Sequence, residues 1–130
     1  LGVEVKTENQ EWGVFLKNRQ NLNYQIARAG WSPDYNDPMT FFDLWTSTSG
    51  NNDSGFKNKE YDALIKDAFS TPDTAKRMED FKKAETMIIK DQQIVLPIYY
   101  YTNVALIKPN LKGVVIDYAG QVDFTRAYFE

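Results

Sequence analysis

The sequence of 130 residues contains no cysteine and no histidine. Without cysteine, the chain has no disulfide framework, no cysteine-ligated zinc and no cysteine nucleophile; without histidine, it has no histidine-based triad, base or metal site. No apolar run approaches the roughly 18 residues of a membrane span. The chain carries 15 Lys+Arg against 18 Asp+Glu, and this net charge of −3 argues against nucleic acid as a partner.

The remaining composition is that of an ordinary globular protein. Apolar residues make up 42% of the chain and charged residues 25%. This length supports one domain, or a piece of a larger one, with a modest core. The first residue is Leu1, not Met, and the chain opens on a strand-like pattern without a signal sequence. We therefore expect a segment of a longer, processed protein.

The first 38 residues carry both strand and helix patterns. Alternating side chains predict short strands over 3–7 and 22–28. Apolar residues at helical spacing predict a helix between them, capped by Asn9. Strand, helix and strand within about 30 residues are the size of a βαβ unit. The segment AGWSPDYNDP (29–38) is rich in turn residues and predicts a loop.

Further helices are predicted in the middle of the chain. Asp37-Pro38 can open a short helix. Asn58 is placed to cap a longer helix, and Thr71 is placed to cap another, extending over roughly 73–91. The two longer helices are expected to form a hairpin with their charged faces in solvent.

The last third of the chain predicts strands. The segment IVLPIYYY (94–101) is nearly continuously apolar and predicts the most buried strand. Pro97 has no amide hydrogen, so that strand requires an edge, a bulge or a crossing between domains. A second strand is predicted over 104–107, and shorter ones near 114–116 and 127–129.

Three charged residues occupy positions where function is an alternative to structure. Arg19 shares the apolar face of the first helix, and Arg28 ends the apolar row of the strand that follows. Each is either a snorkelling or salt-bridged side chain, or a guanidinium placed to meet a carboxylate. Asp34 is either a turn cap or an anion for a cationic ligand group, with Trp31 as a pocket wall.

Catalytic and metal sites have less support. Asp34 and Asp37 could form a general acid/base pair of the glycosidase kind, but nothing else in the sequence favours this. The loop over 50–55 holds one carboxylate, and no calcium-loop or phosphate-binding glycine motif is present. Asn52-Asp53-Ser54 matches a glycosylation sequon, a signal that arises often by chance.

The combination of several segments resembles one known family. These segments are NQEW (9–12), ARAGWSPDYNDP (27–38), GNNDSGF (50–56), NKEYDALI (58–65), KAE (83–85) and VLPIYYYTN (95–103). Together they resemble the C-terminal part of the oligopeptide-binding proteins, the OppA-like, family 5 extracellular receptors of ABC importers. The resemblance covers nearly the whole chain and weakens after about residue 110.

The resemblance implies a set of peptide-binding residues. The aspartate matching Asp34 would form a salt bridge with the free α-amino group of the peptide, and Gly30, Trp31 and Ser32 would bond the peptide backbone as an added strand. The remaining matches are cleft arginines, aromatic walls and a tyrosine near the hinge: Arg28, Arg19, Trp12, Trp31 and Tyr101. Relatives can have Cys-Ala where this chain has Ser32-Pro33, which puts the local backbone hydrogen bond in doubt.

The implied architecture is the α/β, periplasmic-binding-protein-like (type II) fold, in which two lobes close over the ligand. Residues 1–95 would belong to the second lobe, and residues 96–130 would be hinge-crossing strands returning to the first. The implied function is capture of oligopeptides, without catalysis, cofactor or metal, and delivery to membrane permease subunits. The implied location is extracytoplasmic, either periplasmic or anchored as a lipoprotein.

Alternatives remain at this stage. Receptors of the same fold bind dipeptides or nickel, so the ligand's length is less certain than its class. A carboxylate-dependent hydrolase using Asp34 and Asp37 predicts turnover. A protein-interaction module exposing its aromatic residues predicts an apolar patch and oligomerisation, with no dependence on a ligand amine.

Overall fold

The computed structural model describes residues 2–130, which carry four α-helices and four short strands. The helices are α1 (Trp12–Gln20), α2 (Met39–Phe42), α3 (Lys59–Ser70) and α4 (Thr74–Glu85). The strands are β1 (Leu111–Lys112), β2 (Val115–Ile116), β3 (Val122–Asp123) and β4 (Tyr128–Phe129). A 3-10 turn over Asp43–Trp45 continues α2, and a π-helical turn over Thr86–Asp91 continues α4. Strand β1 pairs antiparallel with β4, and β2 pairs antiparallel with β3.

The core lies between α3 and α4, which form the predicted hairpin, and α2 packs across it. Its buried cluster is Met39, Phe56, Tyr61, Ile65, Ala68, Phe81, Ala84 and Ile88. Phe81 stacks on Phe42 with ring centroids 4.8 Å apart, which joins α4 to α2. The Tyr61 hydroxyl donates to the carbonyl of Phe42 at 2.7 Å, so this fully buried phenol is satisfied. The α3–α4 hairpin therefore packs against α2 and holds it in place.

The helix starts follow capping chemistry, with two differences from the sequence prediction. Asn58 caps α3 as predicted, because its side-chain oxygen accepts from the second and third helical amides. Asp73, not Thr71, caps α4: Asp73 is the last extended residue, and its carboxylate accepts from the amides of Ala75 and Lys76. Helix α1 is capped by Glu11, which accepts from Val14, and not by Asn9.

The polar loop over 50–55 is held by one side chain. The Asn52 amide nitrogen donates to the carbonyls of Trp45, Thr46 and Phe56 at 2.8–3.3 Å. The same residue's oxygen accepts from the amide and hydroxyl of Ser54. The sequon therefore has a structural explanation, because the nitrogen that glycosylation would modify is occupied by backbone carbonyls.

The predicted strands over 3–7, 22–28, 94–101 and 104–107 do not form ladders among residues 2–130, and the predicted βαβ unit is absent there. The expectation that 94–101 is the most buried stretch is wrong for these residues: Leu96 is 81% exposed and Tyr100 is 94% exposed. A strand exists only where a neighbour accepts and donates its backbone hydrogen bonds, and apolar alternation does not supply that neighbour.

The chain reverses sharply after α1, which is why no strand follows directly. Leu22 has a left-handed φ of 59°, and its amide donates to the carbonyl of Arg19. Its side chain rests on Gly55, where an added Cβ would come within 2.9 Å of the Leu22 Cδ1. Gly55 also has a φ of +71°, so both its conformation and this contact favour glycine. This contact brings the end of α1 against the 50–55 loop.

No helix within residues 2–130 combines the length and the apolar character that a membrane crossing requires.

Candidate functional site

Seven of the eight predicted site residues surround one open cavity of about 260 Å³. They are Trp12, Arg19, Arg28, Gly30, Trp31, Ser32 and Tyr101, with Phe15 and Ala29 completing the lining. These residues come from α1, from Arg28 and the loop over 29–38 that follows it (called the cavity loop below), and from the tyrosine-rich segment 99–101. The structure thus brings together residues up to 89 positions apart, from Trp12 to Tyr101. Their roles in binding stay predictions.

Arg28 lies at the cavity with its charge available. One guanidinium nitrogen donates to the hydroxyl of Tyr101 at 2.5 Å, and Arg28 forms no ion pair with any of residues 2–130. The charge of Tyr101 and its hydrogen bond raise the pKa of Arg28. The pKa of Tyr101 is in turn lowered, first by a hydrogen bond with Tyr99 and then by the Arg28 cation. The Arg28 guanidinium is therefore hydrogen-bonded to a phenol and paired with no carboxylate of residues 2–130, which leaves it able to meet an incoming carboxylate.

Arg19 lines the same cavity, but its charge is already paired. Its guanidinium lies 3.1 Å from the Asp53 carboxylate and over the ring of Phe15, at 5.9 Å from the centroid. The Tyr24 hydroxyl donates to the backbone carbonyl of Asp53. The Arg19 charge is therefore in a salt bridge, as the structural alternative predicts. The position of Arg19 at the cavity wall agrees with the functional alternative.

The apolar face of α1 belongs to the cavity and not to the core. No residue of α1 is buried, and Trp12 and Phe15 pack on each other with centroids 5.8 Å apart. Phe15 lies on the apolar face of the helix that the sequence predicts, and it is not among the predicted site residues. The signal in the sequence was Arg19 on this apolar face, because a helix face that ends in a charged residue faces a polar environment.

Asp34 follows the cavity-lining residues on the same loop. Its side chain is exposed, does not line the cavity, and makes no ion pair or hydrogen bond with residues 2–130. Its backbone amide donates to the Thr40 hydroxyl at 3.1 Å, and the indole nitrogen of Trp31 donates to the same oxygen at 3.4 Å. The Asp34 backbone and the Trp31 wall are therefore tied to one atom, while the Asp34 carboxylate is left unpaired in this part of the chain.

The Asp37 carboxylate, unlike that of Asp34, is bound by other groups of the fold. Arg77 donates to both Asp37 carboxylate oxygens, at 2.7 and 2.8 Å, and the amide of Met39 donates to one of them at 2.8 Å. These bonds, led by that of Arg77, lower the pKa of Asp37. A general acid of the glycosidase kind needs a raised pKa, so this carboxylate is unsuited to the acid half of the alternative pair.

Asp37→Asn is expected to lower the free energy of unfolding by about 1 kcal/mol at pH 7, because it removes the charge of a partly exposed bidentate pair and retains the oxygen that caps α2. The pKa of Asp37 is lowered in the folded state, so this stabilisation is complete above the ordinary value of 3.8 and is lost as the pH falls through the lower folded value. Urea unfolding of both proteins should therefore show a difference that shrinks below pH 4. A difference that grew on acidification would contradict this assignment.

The described residues, 2–130, contain no group of three or more acidic side chains that could hold a metal ion. Nor does the cavity hold a carboxylate of its own, since its charged lining residues are Arg19 and Arg28. The arrangement can accept an anion at Arg28, stack apolar groups on Trp12 and Trp31, and offer backbone groups at Gly30.

Comparison with known proteins shows which sequences this chain is similar to. Residues 1–53 match the family model described as bacterial extracellular solute-binding proteins, family 5 Middle. The oligopeptide-binding protein OppA of Bacillus subtilis is 42% identical over 100% of this chain. The chain is similar to the family 5 solute-binding proteins, by the family model over residues 1–53 and by this relative over the whole length of the chain. The chain spans about a quarter of the length of that relative, at 24%.

Solved structures of the family extend the likeness to the fold. The murein tripeptide binding protein MppA of Escherichia coli matches with a TM-score of 0.77 and 43% identity, over 87% of this chain and 22% of that one. OppA of Haemophilus influenzae, in complex with the peptide RPPGFSPFR, matches with a TM-score of 0.73 and 39% identity, over 85% of this chain and 21% of that one. The predicted periplasmic-binding-protein-like α/β fold is thereby confirmed.

Proposed function

We propose that this chain is part of a family 5 solute-binding protein, the extracytoplasmic substrate-binding component of an ABC importer, which captures peptides by their backbone and free N-terminus and passes them to a membrane permease. The observation that carries the proposal is the cavity bounded by Trp12, Arg28 and Trp31, with the unpaired Asp34 carboxylate on the same loop. Relatives named for oligopeptide binding support the ligand class.

The charges around the cavity suit a zwitterion. Arg28 offers a cation without an ionic partner among residues 2–130, and Asp34 offers a carboxylate in the same condition. A short peptide carries an ammonium group at one end and a carboxylate at the other. Binding it would pair each charge with its opposite, which offsets the cost of removing both from water. The Arg28–Tyr101 hydrogen bond would yield to, or be shared with, the peptide carboxylate.

The backbone of the cavity loop suits an extended ligand. Gly30, Trp31 and Ser32 line the cavity and belong to no helix or ladder within residues 2–130. Their amides and carbonyls are therefore available for strand-like pairing with a peptide main chain, a mode that gives affinity without reading side chains. Trp12 and Trp31 would then form walls that tolerate many side chains.

The apolar segment 94–107 fits a crossing between lobes. Its side chains over 96–107 are exposed among the described residues, with Leu106 at 98%, while Ile94 and Val95 pack against the core, and its backbone forms no ladder there. Within the proposal, residues 1–95 belong to one lobe and residues 96–130 return to the other, so that 94–107 pairs with the other lobe. The cavity volume of about 260 Å³ falls below the roughly 300–1,000 Å³ of complete ligand pockets, as half of a two-lobed cleft would.

Calorimetric titration of the complete gene product that carries these residues tests the proposal. Trialanine should bind saturably at one site, and N-acetyl-trialanine should bind at least about tenfold more weakly, because acetylation removes the ammonium charge. Dialanine and Ni²⁺ titrated in parallel would separate the alternatives within the fold. Release of alanine on incubation would instead favour the hydrolase.

The interaction-module alternative has one observation in its favour, namely the exposed apolar side chains within 96–107. It predicts concentration-dependent self-association of the complete gene product and no response to trialanine. A monomer that binds trialanine would exclude it.

A further inference from the structure

One buried hydroxyl group is not explained by packing. Thr40 is 2% exposed and lies in the second position of α2, above the core formed by α3 and α4. Burial of a hydroxyl is unfavourable unless it is hydrogen-bonded, and valine has nearly the same shape without that cost. The presence of threonine here therefore points to the partners of its oxygen.

Those partners are two donors from the cavity loop. The Thr40 oxygen accepts from the Trp31 indole at 3.4 Å and from the Asp34 backbone amide at 3.1 Å. Trp31 lines the cavity, and Asp34 carries the proposed ammonium-binding carboxylate. The Thr40 oxygen thus ties the aromatic wall of the cavity to the backbone of Asp34, which lies outside the cavity lining. Rotation of the indole or displacement of the loop would break at least one of these bonds.

The helix that carries Thr40 is itself held from behind. Asp37 accepts from the amide of Met39, which fixes the start of α2, and Arg77 clamps Asp37 through two hydrogen bonds. Arg77 is held in place because its Nε donates to the carbonyl of Ala68 at 2.9 Å and its guanidinium lies 4.8 Å from the ring centroid of Phe81. The contacts therefore run without interruption from the helical hairpin to the cavity loop.

We infer that Thr40 is a positioning residue of the ligand site: its hydroxyl fixes the Trp31 indole and the Asp34 backbone relative to each other and so sets the discrimination between peptides with free and blocked amino groups. This inference rests on the proposed peptide-binding function. Thr40 does not touch the ligand, and it acts through Trp31 and Asp34. The Arg77–Asp37 ion pair holds α2, and with it Thr40, in position.

The test compares Thr40→Val, which keeps the shape and removes the acceptor, with Thr40→Ser, which keeps the hydroxyl, both in the complete gene product. The readout is the ratio of the affinities for trialanine and N-acetyl-trialanine. Thr40→Val should lower this ratio about tenfold, the equivalent of one hydrogen bond to the loop, and Thr40→Ser should keep it within about twofold of the wild-type ratio. A merely structural Thr40 would lower stability and leave the ratio unchanged.

A second measurement needs no ligand. The indole N–H resonance that disappears in Trp31→Phe should shift in Thr40→Val and stay in place in Thr40→Ser. An unchanged ratio in Thr40→Val would overturn the inference. If the wild type binds both probes equally, the amine-capture part of the proposed function fails, and the resonance alone decides: a shift confined to Thr40→Val supports the positioning role, and no shift overturns it. If Thr40→Val does not fold, Thr40→Ala replaces it, because alanine also lacks the acceptor oxygen, and an unchanged ratio there would equally overturn the inference.

Discussion

Asp34→Asn is expected to lower the affinity for trialanine by about 30-fold or more and to leave the affinity for N-acetyl-trialanine nearly unchanged. The carboxylate makes no hydrogen bond or ion pair with residues 2–130, so its removal should cost little stability. Once a peptide covers it, the charge is desolvated, and truncation of one partner of such a pair costs 2–5 kcal/mol or more, with about 1.4 kcal/mol for each tenfold. Calorimetric titration of both peptides checks the result.

Asp43→Asn is the matched control for this prediction. It removes the same charge from an exposed residue that does not line the cavity and whose carboxylate accepts, among residues 2–130, only a long hydrogen bond from Tyr35. Its affinity for trialanine should stay within about twofold of the wild type. Equal losses in the two variants would mean that the effect comes from the overall charge, and the role assigned to Asp34 would have to be abandoned.

Phe81→Ala is expected to lower the free energy of unfolding by about 3–5 kcal/mol. Phe81 is 3% exposed, stacks on Phe42 and lies under the Arg77 guanidinium, so its removal leaves a cavity at the junction of α2 and α4. Urea denaturation should show the loss, and amide exchange should accelerate in α3 and α4 in particular. Trialanine binding should weaken as well, because Arg77 would lose the ring that supports it.

Phe69→Ala tests whether that cost arises from burial. The substitution removes the same atoms from the neighbouring helix, but Phe69 is 80% exposed. Its effect on the free energy of unfolding should stay within about 0.5 kcal/mol. A loss comparable to that of Phe81→Ala would show that position in the core does not set the cost.

The helices were predictable because their signals are local. Asn58 and the apolar residues that follow it at helical spacing define both the start and the buried face of α3. The errors at helix ends were small and had a common form. Thr71 and Asp73 are both residue types that cap helices. The cap is the last extended residue before the helix, and in the structure this is Asp73.

The strands over 94–101 and 104–107 were not predictable in the same way. Apolar content described the side chains correctly, but pairing and burial depend on a partner strand that the local sequence does not name. The ladder of Val115–Ile116 with Val122–Asp123 is closed by the short connection 117–121, so its partner is close in sequence, and the ladder of β1 with β4 flanks it.

The site was predicted from residues that break a pattern and from a family resemblance. Arg19 and Arg28 stood out because each ends an apolar row, and both line the cavity. Thr40 and Arg77 gave no such signal, because a threonine in a short helix and an arginine in a charged one are ordinary. Their importance arises from distances across the fold, such as the 40 positions between Asp37 and Arg77.

The sequence by itself determined the helical hairpin, the turn-rich cavity loop and the chemical classes excluded by the absence of cysteine and histidine, because these follow from local capping, periodicity and composition. Only the tertiary structure decided which of two neighbouring aspartates is available. Arg77, on helix α4, forms an ion pair with Asp37. Thr40 accepts a hydrogen bond from the Asp34 backbone amide, and the Asp34 carboxylate stays unpaired among residues 2–130. The physical reason is that a charge's availability is set by the groups that folding brings within hydrogen-bonding distance, and sequence separation does not measure that distance.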